Sequence, residues 1–224
     1  MEENTNPIGR EGIMTNVYSK TFLWMFLGLF ATGIISVFSY YSGFTLNFSG
    51  MLPIIALVEV VVVLLFSFLV KKISTGMAKF LFFTYSIING IILSTIFAVY
   101  QLNSIVTIFF ATAAIFGICA FFGKTTNMNL SKIGTIFLIT ILVGIILSVV
   151  NLFLGFDWLN IGISWVMLLV FFGVTAWDMQ KIKVMSESGE YDDDKVAIYC
   201  AMELYLDFIN IFIRLLSLFG KRRD

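Results

Sequence analysis

The stretch MELYLDFINIFIRLL, residues 202–216, sets Glu203, Asp207, Asn210 and Arg214 into an otherwise hydrocarbon-soluble helix. Spacings of 4, 3 and 4 keep these side chains on one helical face, with Tyr199 one turn before Glu203. The opposite face is Leu, Ile and Phe, and positions 205, 209 and 212 are expected to meet lipid or neighbouring helices. A charge near the bilayer centre costs at least ~2.5–3.5 kcal/mol, so such a stripe persists only where it faces a bundle interior or water. The last helix is therefore expected to be central, with the others around it. A purely structural role is the competing reading, with Arg214 neutralising acids on neighbouring helices and the stripe acting as polar glue.

The rest of the chain has the composition such a helix needs. Of 224 residues, 59% are hydrophobic, 17% aromatic and only 12% charged, which is membrane-class composition. Lys plus Arg and Asp plus Glu are 14 each, so no polyanion-binding surface is indicated and nucleic acid is excluded as a partner. With no His, the commonest transition-metal ligand and neutral-pH switch is missing, and acid-base work falls to carboxylates. Cys119 and Cys200 lie in apolar runs, where a free structural thiol is the ordinary outcome.

Hydrophobic runs near 21–42, 51–70, 77–100, 103–122, 132–154, 158–178 and 197–219 each approach the ~20 residues that cross a ~30 Å hydrocarbon core. Strand edges cannot be satisfied in lipid, so the runs are read as helices. The expected fold is an all-α integral membrane protein, a seven-transmembrane-helix bundle. Residues 1–20 form a cytoplasmic N-terminal segment, 21–219 one membrane domain and 220–224 a short basic tail. The first run has no small-residue cleavage site after it and reads as a retained helix. Only Pro7 and Pro53 occur, and Pro53 falls where a first helical turn tolerates it, so proline kinks are not available.

Arg10, Lys20, Lys71, Lys72, Lys79, Lys124, Lys132, Lys181, Lys183 and Lys195 fall on one side of this bundle. The connections 43–50, 101–102 and 155–157 hold no Lys or Arg, which places the N-terminus in the cytoplasm. Lys221, Arg222 and Arg223 break the pattern if the last run crosses fully, which is the favoured reading over a run that dips in and returns. The retained first helix and the short termini favour a bacterial cytoplasmic membrane, with an organelle membrane as the alternative.

Other polar residues invite roles. Glu59, the lone charge of the second run, must be protonated or paired. Asp178 closes the sixth run and by itself reads as interfacial. Asn89 and Asn151 read as interhelical hydrogen-bonders. The acidic connection SESGEYDDDK, 186–195, lacks calcium-loop spacing and reads as solvated, with Asp192, Asp193 and Asp194 favouring the N-terminus of the last helix.

WDMQKIK after the sixth run, LYLDFINIFIRLL in the last and LPIIALVEV in the second together resemble the Bax inhibitor-1 family, also called the transmembrane BAX inhibitor motif family. The resemblance implies a last helix wrapped by six others and a pH-sensitive calcium leak. It also implies that Asp178 and Asp207 share a proton as the pH sensor, and that Glu59 gates the pore. A basic residue carried by the better-known bacterial form near the end of the second helix has no counterpart here, where Val70 and Lys71 stand nearest.

The leading functional reading is thus a passive cation leak. Glu59, Glu203 and Asp207 would offer oxygens to a passing Ca²⁺, with Asn210 adding to them and Arg214 closing the stripe, and no tightly bound cofactor is called for. The lipid bilayer, calcium ions and protons are its partners. An intramembrane aspartyl protease is disfavoured because neither TAWD nor LYLD carries the glycine pair of that chemistry, so no enzyme is expected. A third reading is an interaction protein that modulates a membrane protease or a stress pathway through a membrane-protein partner.

Overall fold

The computed structural model describes residues 7–47, 62 and 72–223. The helices are α1 (Pro7–Tyr41), α2 (Phe44–Asn47), α3 (Thr75–Leu93), α4 (Ile96–Val99), α5 (Leu102–Thr125), α6 (Ser131–Leu154), α7 (Asp157–Ser188) and α8 (Asp193–Phe219). Among the described residues no strand occurs beyond an isolated bridge between Tyr100 and Arg222. Six helical segments are long and apolar enough to cross a membrane: Met14–Tyr41, Thr75–Val99, Leu102–Thr125, Ser131–Asn151, Asp157–Ser188 and Asp193–Phe219. The run 51–70, with Glu59, lies outside the described residues.

Several boundaries differ from the sequence reading, each for a local reason. Helix α1 begins at Pro7, inside the polar segment, where a proline's missing N–H costs nothing at a first turn. The run 77–100 is broken without proline. Ser94 and Thr95 donate their hydroxyls back to the Ile91 and Ile92 carbonyls, ending α3 before the one-turn α4. Helix α7 does not stop near 178 but continues to Ser188. The acidic connection shrinks to 189–192, opened by Gly189 at φ 62°, and Asp193 and Asp194 form the first turn of α8 as the dipole argument expected. In that connection Tyr191 donates to Glu190 (2.6 Å), and this bond raises the phenol's pKa.

The described residues fall into two compact units. One is drawn from Met1–Ala98 and Lys181–Tyr205, the other from Val99–Gln180 and Leu206–Asp224. In the first, α1 packs on α3 through small residues. A Cβ added at Gly90 would sit 2.8 Å from the Thr32 carbonyl oxygen, and one at Gly28 would meet the Phe82 ring at 2.4 Å. Thr32 donates to the Ser86 carbonyl and shares a 2.6 Å hydrogen bond with the Tyr205 hydroxyl. Phe82 and Tyr85 meet the fully buried Tyr205 ring edge-on, each at 5.7 Å.

In the second unit, α5 approaches α7 so closely that a Cβ on Gly123 would fall 2.2 Å from the Ala176 carbonyl oxygen. Helix α8 adds Phe208, edge-on to Phe109 and Phe116 of α5, and Phe219, edge-on to Trp165 of α7. Small residues that let backbones close up are the usual adhesive where lipid is as apolar as the core. Gly123→Ala is therefore expected to lower stability in detergent by about 1–3 kcal/mol, the usual cost of overpacking. Gly117→Ala on the same helix, where an added Cβ has nothing within 4 Å, is expected to leave it unchanged. Equal melting temperatures for the two variants would rule out the close α5–α7 approach.

Helix α8 is the most shielded of the described spans, with 72% of its apolar window buried against 11–44% for the others. It runs unbroken to Phe219. The tail beyond it is pinned to the α4–α5 junction: Gln101 N–H donates to the Lys221 carbonyl and Arg223 N–H to the Val99 carbonyl, while Ser104 accepts from Lys221 N–H. The three basic tail residues therefore lie beside the Lys-free connection 101–102 within the second unit.

Candidate functional site

Side-chain burial on α8 does not follow the polar stripe. Tyr205, Ile209 and Phe212, expected to meet lipid or neighbouring helices, are deeply buried against protein, whereas Glu203, Asn210 and Arg214 are only half-buried and Asp207 alone of the four is fully so. The aromatic and aliphatic side chains are what the described helices close around, and the polar ones take the looser side. Asn210 donates its amide to the Leu206 carbonyl of its own helix.

In the first unit, α7 and α8 bring three polar groups together. Glu203 Oε1 accepts from Lys181 Nζ and from the Tyr199 hydroxyl, both at 2.9 Å. Lys181 and Glu203 are 24% and 19% exposed, so this ion pair stands well out of water. Glu203 Oε2 is buried and accepts no hydrogen bond among the described residues. Lys181 entered the sequence reading only as a loop-flanking positive charge. Its partnership with Glu203 depends on α7 continuing past residue 178, which hydropathy did not signal. Nearer the N-terminus of α8, Asp194 joins Lys20 of α1 (2.5 Å) and Lys79 of α3 (3.9 Å), and Lys79 also caps the Trp24 ring at 4.8 Å. These last charges are 31–41% exposed, so their net contribution is small.

The second unit holds Asp178 and Asp207, each 3% exposed and the only charged side chains in the buried class among the described residues. Asp178 is thus packed inside the protein, as Asp207 is. From the connection 189–192 it lies ten residues up α7, and Asp207 lies fourteen residues up α8, a difference of four residues or about 6 Å along the axes. Burying two carboxylates this deeply carries a desolvation cost that polar partners must offset. Asn151 is not an interhelical hydrogen-bonder: its amide donates to the Phe156 carbonyl and accepts from the Phe156 N–H, clasping the α6–α7 turn over Gly155 at φ 68°. Arg214 lines a polar cavity beside that turn. Neither Cys119 nor Cys200 is in a disulfide. No group of three His, Cys, Asp or Glu that could hold a metal ion occurs among the described residues, and Glu59 lies outside them.

A family model described as Inhibitor of apoptosis-promoting Bax1 matches residues 14–224. The chain is 36% identical over 223 residues to the inner membrane protein YbhL of Escherichia coli, covering 96% of this chain and 94% of that protein. It is 34% identical to an uncharacterized protein of Rickettsia prowazekii, covering 92% of this chain and 89% of the relative. An uncharacterized protein of Borreliella burgdorferi is 40% identical over 158 residues, 69% of this chain and 68% of the relative.

Proposed function

The chain belongs to the Bax inhibitor-1 family of membrane proteins, and from that premise we propose that it is a pH-sensitive calcium leak of a bacterial cytoplasmic membrane. In this reading Asp178 and Asp207 share one proton and set the gate. The run 51–70 supplies a seventh crossing around a central α8, the N-terminus is cytoplasmic, and Glu59, Glu203 and Asn210 offer oxygens along the path. Ca²⁺ is the permeant ion, not a resident cofactor.

The observation that carries the proposal is the burial of Asp178 and Asp207 in one unit of a chain with no histidine. Two neighbouring carboxylates in low dielectric do not readily ionise together, so the second ionisation is delayed toward neutral pH. Loss of the shared proton brings like charges together and favours separation of the helices that carry them. The gate then opens on the alkaline side and closes on acidification.

The direct test is calcium entry into dye-loaded liposomes containing the purified chain, followed across about pH 6 to about pH 8, the interval over which a delayed carboxylate ionisation would act. Entry no faster than into empty liposomes at every pH would refute the leak and leave the role to interaction with another membrane protein. Glu59→Gln keeps the shape of the side chain and removes its ionisable group. Calcium entry through this variant is expected to fall several-fold or to lose its preference for Ca²⁺ over monovalent cations. Wild-type flux and selectivity would take Glu59 off the path.

A further inference from the structure

The cavity beside the α6–α7 turn, about 310 Å³, is bounded by Ser148, Asn151, Phe156, Asp157, Asn160 and Arg214, all within the second unit. Its walls carry two opposite charges on different helices, Arg214 on α8 and Asp157 at the first residue of α7. Neither forms an ion pair with a described residue, and Arg214 Nε donates no hydrogen bond among the described residues. A half-buried guanidinium is a five-donor fork shaped for a carboxylate or phosphate, and leaving it unmatched is costly.

The remaining walls limit what can enter. The Asn151 amide is held in place by the Phe156 backbone, with one of its two N–H donors given to the Phe156 carbonyl. Ser148 donates to the Gly144 carbonyl, which leaves its oxygen free to accept but not to donate. The volume is several times the roughly 30 Å³ that one water occupies in the liquid, so there is room for a headgroup and not only for an ion. Phe156 and Trp158 stack at 6.1 Å and are exposed, as aromatic residues are where a membrane protein meets the headgroup layer. An occupant that satisfies both charges carries an oxyanion for Arg214 and an N–H-bearing cation for Asp157, with an apolar remainder pointing out to lipid.

We propose that this cavity binds the phosphoethanolamine headgroup of a membrane phospholipid, its phosphate on Arg214 and its ammonium on Asp157. Neither Asp178 nor Asp207 lines the cavity, so its test does not depend on their sharing a proton. Anionic glycerol headgroups offer Asp157 hydroxyl donors but no cation. Choline headgroups offer a cation without N–H donors.

The test is native mass spectrometry of the full-length chain, released from detergent containing equal amounts of phosphatidylethanolamine, phosphatidylglycerol and phosphatidylcholine with identical acyl chains. The unsubstituted protein is expected to retain phosphatidylethanolamine in preference to both others. Arg214→Gln should lower that retention about tenfold or more, the scale of one charge-assisted phosphate contact, while Arg214→Lys keeps part of it. Asp157→Asn, a near-isosteric change at an exposed position, should still retain phospholipid but lose the preference for phosphatidylethanolamine over phosphatidylglycerol. Free phosphoethanolamine added in excess should compete if the headgroup alone is recognised. Equal retention of all three lipids by the unsubstituted chain, or wild-type retention and preference in both Arg214→Gln and Asp157→Asn, would overturn the site. If Arg214→Gln fails to fold by circular dichroism, the Arg214→Lys and Asp157→Asn arms decide alone.

Discussion

Asp178→Asn is expected to make calcium entry into liposomes nearly flat between about pH 6 and about pH 8, where the unsubstituted chain should rise with pH. The direction follows from the proposed shared proton. Asn keeps the size and a hydrogen-bond donor, so the acidic, closed arrangement is mimicked at every pH, and no second charge can appear to force the helices apart. Asp207→Asn should behave alike, because the ionisation belongs to the pair and not to either residue. The two changes together should then be little worse than either one, a large departure from additivity. An unchanged pH profile in both single variants would show that the switch lies elsewhere, and Glu203 is the next carboxylate to test. The burial of Asp178 and Asp207 also predicts that these asparagine variants fold, since a neutral amide is at least as easily accommodated at 3% exposure as a carboxylate.

Lys181→Met should be the most destabilising charge removal in the first unit. Without the ammonium, Glu203 keeps the Tyr199 hydroxyl alone among the described residues as a donor on Oε1, while Oε2 already accepts nothing from them. Removing one partner of a fully buried pair costs about 3–5 kcal/mol, and because this pair is a fifth to a quarter exposed the expected loss is discounted to about 1–3 kcal/mol. Adding Glu203→Gln removes the stranded charge and should restore most of the lost thermal stability in detergent. A double variant as unstable as the sum of the singles would mean that Lys181 and Glu203 contribute separately and the 2.9 Å contact carries no coupling.

Much of the architecture was legible because hydropathy and helical period are local. The apolar runs located the six described spans, and the 4, 3, 4 spacing in 203–214 marked the last helix as the one carrying unusual charge. Helix ends were less legible. The sixth run loses its apolar character after Trp177, yet α7 continues for three more turns, because Lys181 finds Glu203 and Ile182 is fully buried. Hydropathy marks where lipid ends, not where the backbone stops being helical. The break at Ser94 and Thr95 was hidden for a related reason: hydroxyls that donate back to a carbonyl do so without any proline to announce them.

The sequence by itself determined the membrane class, the helical secondary structure, the family and the short set of carboxylates on which any acid-base function must rest. Only the tertiary structure decided which side of α8 is the packed side, that Asp178 is as buried as Asp207, that Lys181 belongs to Glu203, and that the basic tail is tied to residues 99–104. The physical reason is that in a bilayer Leu, Ile and Phe are equally at home against lipid and against another helix, so apolar pattern does not say which face is inward. Partners of polar groups are equally invisible along the chain, since Thr32 meets Tyr205 and Lys20 meets Asp194 from more than 170 residues away. Close helix approach, as at Gly123 against Ala176, is what brings such groups within reach, and it exists only once the chain has folded.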